Sequence, residues 1–146
     1  MSTSAVLIHD GGPTGLRFLA RGDSGQQLVF DSGDGQTGPN PVETVLAALG
    51  ACEGMDVVGI LRKKRLQVTG YEVSLTCERH TEHPRSFKKI EILHRVRGNV
   101  TALALEEAIR LSETRYCSVR HSLRTDIPII SRWEILPSVP GPEVAP

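Results

Sequence analysis

The chain has 146 residues, and its 17 Lys+Arg balance 17 Asp+Glu, so the formal charge is zero. A neutral chain has no global field to hold nucleic acid or an anionic membrane, and a 4% aromatic share leaves few rings to stack on bases. The length suits one domain with a real hydrophobic core, expected over residues 1–136, with a loose tail at 137–146 that holds four of the prolines.

Val6, Leu7 and Ile8 precede the turn signal Asp10-Gly11-Gly12-Pro13 and predict a first short strand. Leu16 to Ala20 and Gln27 to Phe30 predict two more, joined as a hairpin through Gly22-Asp23-Ser24-Gly25. Asp31 to Pro41, rich in glycine, is a loop that ends at a helix start. From Val42 the apolar residues Val45, Leu46, Leu49, Val57 and Leu61 recur at helical spacing, and the run ends at Arg62-Lys63-Lys64-Arg65, where cations suit the helix dipole. Ala47, Ala48, Gly50, Ala51, Gly54 and Gly59 fill the remaining positions, which predicts a central helix approached closely on several sides.

Two long strands follow. Tyr71, Val73, Leu75 and Cys77 alternate with polar residues, and after a turn at His83-Pro84 a second strand puts Ile90, Ile92, His94 and Val96 on one face. A second helix is expected from the N-cap Thr101 to Thr114, then a connector from Tyr116 to Leu123, then a last strand over Ile127 to Leu136. The order βββ-α-ββ-α-β is not regularly interleaved, so the class is α+β.

The apolar run Val42 to Leu61 carries Glu43, Glu53 and Asp56, which are costly at bilayer depth, and reads as a helix of a soluble protein. The N-terminus has neither the charge nor the apolar core of a signal peptide. Three cysteines do not make a disulfide framework. A cytoplasmic protein is expected.

Chemistry has few places to sit. Cys77 lies on the apolar side of a strand and reads as a packed thiol. Cys52 sits mid-helix beside Glu53 and Asp56, and either fills the core or acts as a nucleophile. Cys117 has Arg115, Arg120, His121 and Arg124 close in sequence; if they surround it in space they favour its thiolate, and a helical turn starting there would do the same. The spacings Cys117–His121 and His80–His83 lack any accompanying CxxC or HExxH, so no metal site is expected. The glycine-rich loop has no phosphate-loop lysine, and no cofactor is expected.

Gly38-Pro39-Asn40-Pro41-Val42-Glu43-Thr44-Val45-Leu46-Ala47-Ala48-Leu49-Gly50-Ala51-Cys52, continuing through Met55-Asp56-Val57-Val58, resembles the central helix of the OsmC/Ohr family. Arg115-Tyr116-Cys117-Ser118-Val119 resembles its second cysteine motif, and His83-Pro84 with Phe87 and Ile90 its middle hairpin. The likeness runs from about Leu16 to Leu136 and is greatest to the OsmC-like branch. It implies an intertwined homodimer and a thiol peroxidase of organic hydroperoxides, part of an antioxidant stress response. Cys52 would be the peroxidatic cysteine, and Cys117 the resolving one in a Cys52–Cys117 disulfide that an external dithiol reduces. The family's acid ten residues before the first cysteine is Val42 here; Glu43 is the nearest, and Arg17, or else Arg21, is its candidate partner. The competing expectation is a non-catalytic module that binds a small hydrophobic ligand or senses redox state.

Overall fold

The computed structural model describes residues 1–34 and 37–137. The expected C-terminal tail lies, from residue 138, outside the described residues, as do residues 35 and 36 of the expected loop. The chain divides into two compact units, Met1–Leu46 and Ala47–Pro146.

The first unit is an antiparallel meander of β1 (Ala5–Gly11), β2 (Arg17–Gly22) and β3 (Gln27–Phe30), with Leu7 opposite Ala20 and Ala20 opposite Leu28. All three expected strands are present. Buried Asp31 gathers the loop that follows: it accepts hydrogen bonds from Thr14 Oγ1 at 2.7 Å, from the Ser32 amide at 2.8 Å and from Thr37. At its end helix α1 (Pro41–Lys63) begins on a reciprocal cap. The Glu43 amide donates to Asn40 Oδ1 at 2.9 Å, while the Asn40 amide donates to Glu43 Oε2 at 3.0 Å. Pro41 sits at the first helical position, where its missing N–H costs nothing.

In the second unit β4 (Gln67–Arg79) and β5 (Phe87–Asn99) pair antiparallel, and β6 (Ile129–Leu136) pairs parallel to β5, giving the order β4-β5-β6. A parallel pair needs a crossover. Here it consists of α2 (Ala102–Leu111), a wide π-helical turn over Ser112–Tyr116, and the short α3 (Ser118–Ser122). Thr101 caps α2 as expected, its hydroxyl accepting from the Ala104 amide at 3.2 Å. The expected second helix therefore stops three residues early, and the expected connector contains a helical turn.

The core joins α1, β5 and α2 through Val57, Leu61, Val96, Leu105 and Ala108. Each fully buried valine or leucine side chain there contributes about 2 kcal/mol. β5 buries Ile90, Ile92, His94 and Val96, the alternation its sequence predicts. α1 turns Leu49, Gly50, Glu53, Val57 and Leu61 inward. Gly50 is required by a close approach, since a Cβ there would lie 2.5 Å from Leu75 Cδ1. On another face of α1, Met55 is 75% exposed. That face and the α1-facing side of β4 form an apolar groove of about 590 Å³, lined by Gly54, Val58, Val73 and Leu75 among others.

Candidate functional site

Cys52 and Asp56 are four residues apart on α1, so their side chains share a face. The crossover brings Cys117 to that face. The Cys52 and Cys117 sulfurs and a carboxylate oxygen of Asp56 all lie within 4.8 Å of one another. Cys52 is half-buried, Cys117 is fully buried, and both are free thiols. Asp56 is fixed by buried Ser112 in the π-helical turn, whose hydroxyl donates to Oδ2 at 2.8 Å. Cys77, on β4 opposite Ile90, is half-buried and stands outside this cluster.

Cys117 occupies the cap position of α3, and its sulfur accepts the Arg120 amide at 3.3 Å. This bond favours the thiolate, as a cap should. Burial works the other way and is stronger: with Cys52 and Glu53 adding to it, the Cys117 thiol is pushed up to about 12. The expected cationic surroundings do not materialise. Arg115 stacks on Tyr116, with 5.4 Å from guanidinium carbon to ring centroid, Arg124 pairs with Asp126, and His121 is exposed. Closeness in sequence did not become closeness in space.

Arg120 alone turns inward, and a carboxylate meets it. Its Nη1 donates to Glu53 Oε1 at 2.8 Å and lies 3.4 Å from Glu113, while Nη2 donates to the Ile129 carbonyl at 3.2 Å. Glu53 is fully buried. Its other oxygen faces His94 Nε2 at 3.4 Å, and neither atom has a hydrogen-bond partner among the described residues. His94 Nδ1 and the Tyr71 hydroxyl are 2.5 Å apart. Burial and the Glu53 charge hold the Tyr71 phenol well above its ordinary range, so it keeps its proton. A buried polar chain thus runs Tyr71–His94–Glu53–Arg120 and ends on the residue whose amide touches Cys117.

The remaining candidates are engaged elsewhere. Arg17 forms a two-pronged pair with Asp10, at 2.9 Å from Nε and 2.9 Å from Nη2. Glu43 closes the cap of α1. Sequence reasoning noted Glu53, Asp56 and Arg120 as neighbours of the cysteines but gave them no joint role. It read His94 as part of an apolar stripe, although a histidine in the buried register of a strand signals a polar partner underneath.

A cleft of about 480 Å³ reaches Asp56 between α1 and the end of α2. Met55, Ile60, Leu111 and Tyr116 supply its apolar lining, with Lys63 and Lys64 also present. Of the three cluster residues, Asp56 lines it.

Comparison with known proteins identifies the family. The OsmC-like protein family model matches residues 33–132. Protein YhfA of Escherichia coli K12 is 40% identical over 123 residues, which cover 84% of this chain and 92% of that protein. A crystal structure from Aquifex aeolicus VF5 superposes with a TM-score of 0.83 at 30% identity, covering 95% of this chain and 99% of the other. An organic hydroperoxide resistance protein from Elizabethkingia anophelis shares the fold at 14% identity, with a TM-score of 0.65 and coverage of 93% and 97%. The α+β order, the central helix and the family-model match agree: the chain belongs to the OsmC-like protein family.

Proposed function

We propose that this protein is a cytoplasmic, homodimeric thiol peroxidase that reduces organic hydroperoxides through Cys52 and Cys117. The observation that carries the reading is the placement of two free sulfurs and one carboxylate within 4.8 Å, with an open cleft beside them. The Cys52 thiolate attacks the O–O bond; the sulfur is oxidised to a sulfenic acid, and the hydroperoxide is reduced to an alcohol after taking one proton. Cys117 then attacks that sulfur. Its proton passes to Asp56 and on to the departing hydroxide, which leaves as water while the disulfide forms. An external dithiol restores both thiols.

Asp56 has a task because Cys117 holds its proton at neutral pH. A base within reach of both sulfurs meets that need. Glu53 and Arg120 are positioning residues, keeping the Arg120 amide on the Cys117 sulfur. Arg17 and Glu43 enter on family resemblance alone. The dimer reading draws support from exposed Met55 and the apolar groove between α1 and β4, which a second copy would bury.

The test is a free-thiol titration of reduced protein before and after one equivalent of cumene hydroperoxide, with peptide mapping. Rapid loss of two thiols, mapped to a Cys52–Cys117 bridge, is expected. Survival of all three thiols in a modest excess would overturn the reading. It would favour a module that holds a small hydrophobic ligand, for which the groove of about 590 Å³ is the specific support.

A further inference from the structure

We propose that the reduced Cys52–Cys117–Asp56 cluster binds one thiophilic divalent cation of the zinc class, through two sulfurs and one carboxylate oxygen. This goes beyond the peroxide reading and needs only two reduced thiols.

The donor set carries the inference. Two thiolates select zinc-like ions over magnesium or calcium, and a carboxylate supplies a third ligand with the fourth position open. A tetrahedral zinc with sulfur at ~2.3 Å requires sulfurs roughly 3.8 Å apart. The three donors already lie within 4.8 Å, so a side-chain adjustment of about an ångström closes the site.

The surroundings match as well. Metal ligands are usually oriented by a hydrogen bond from outside the ligand set. Ser112 donates to Asp56 Oδ2 and fixes the carboxylate, and the Arg120 amide donates to the Cys117 sulfur. Ser112 and Cys117 are both fully buried, so this part of the frame is rigid. Cys52 is half-buried, and the cleft at Asp56 gives an ion its way in. Three ligand charges against a dication leave one negative charge at the site.

One consequence is regulatory: a cation on both sulfurs removes the nucleophile and shields the pair from oxidation until it is withdrawn.

The experiment is an anaerobic titration of the reduced full chain with Co²⁺, read by absorbance. One equivalent is expected to give tetrahedral visible bands and a sulfur-to-cobalt charge-transfer band, both displaced by Zn²⁺. Cys52→Ser and Cys117→Ser should each remove most of the charge-transfer intensity. Asp56→Asn should weaken binding about tenfold or more, and Cys77→Ser should leave the spectrum unchanged. Circular dichroism reports whether each variant is folded. No charge-transfer band from the wild-type chain, or a band that persists in Cys52→Ser, overturns the proposal. Thiol loss to hydroperoxide in metal-free protein is a separate readout, so either idea can fail without the other.

Discussion

Glu53 on α1 and Arg120 on α3 meet at 2.8 Å, 67 residues apart in sequence, with the carboxylate fully buried and the guanidinium 18% exposed. A buried charge is tolerable only while it is paired. Arg120→Ala strands the Glu53 carboxylate beside His94 and is expected to cost about 3 kcal/mol in urea unfolding. Glu53→Gln, which removes the charge but retains the shape, should cost less. An Arg120→Ala cost within 0.5 kcal/mol of zero, about the size of an ordinary surface substitution, would show that the pair does not anchor α3.

If Cys117 resolves the Cys52 sulfenic acid, removing it should expose that intermediate. Cys117→Ser treated with one equivalent of hydroperoxide is expected to accumulate a dimedone adduct at Cys52, seen by peptide mass. Wild type should pass to the disulfide with little adduct. Cys52→Ser should give no alcohol above the uncatalysed background.

The Cys117 thiol, raised from 9.0 to about 12, makes a prediction about pH. Between those values the folded chain keeps a proton that the unfolded chain has lost. The unfolded state then binds fewer protons, so stability falls as pH climbs through this window, by up to about 1.4 kcal/mol per unit. Well below pH 9 this group contributes no slope. Cys117→Ser should flatten the fall between pH 9 and 11, measured by chemical denaturation against wild type. Tyr71 is also raised, which adds a slope of the same sign that persists in the variant.

Glu43 has a structural task that can be separated from a catalytic one. Glutamine serves the reciprocal cap as well as glutamate does, so Glu43→Gln keeps the α1 start and removes the charge. Turnover of hydroperoxide is expected to stay within about twofold, because less than 0.5 kcal/mol is at stake. A loss beyond tenfold would give Glu43 a part in the chemistry. Asn40→Ala, by contrast, should cost about 1 kcal/mol of stability.

Local patterns were readable because they are local. Alternation along Tyr71 to Cys77 and Ile90 to Val96, the Thr101 cap and the apolar stripe of α1 each follow from neighbours a few residues away. The parallel pairing of β5 with β6 was not readable, since it depends on how the crossover packs. The two cysteines were identified individually, but the pairing came only from family resemblance. Nothing in the order of residues says that Arg120 turns toward Glu53 while Arg115 and Arg124 turn to partners of their own. Burial also reversed the sign expected for Cys117, because four nearby cations in sequence became one amide bond and a desolvated pocket.

The crossover from β5 to β6 has a consequence for how the molecule is made. Antiparallel β4 and β5 can zip from their turn, whereas β6 must return to β5 across the whole α2–α3 segment, and such distant contacts form late. Cys117 rides on that segment, and Arg120 is tied to the Ile129 carbonyl at the start of β6. The two sulfurs are therefore expected to become neighbours late in folding. A chain still being synthesised holds Cys52 without its partner, and a truncation before Ile129 removes the anchor that holds Arg120 in place. Thiol reactivity of the pair, followed during refolding from urea, should change with the last phase rather than the first.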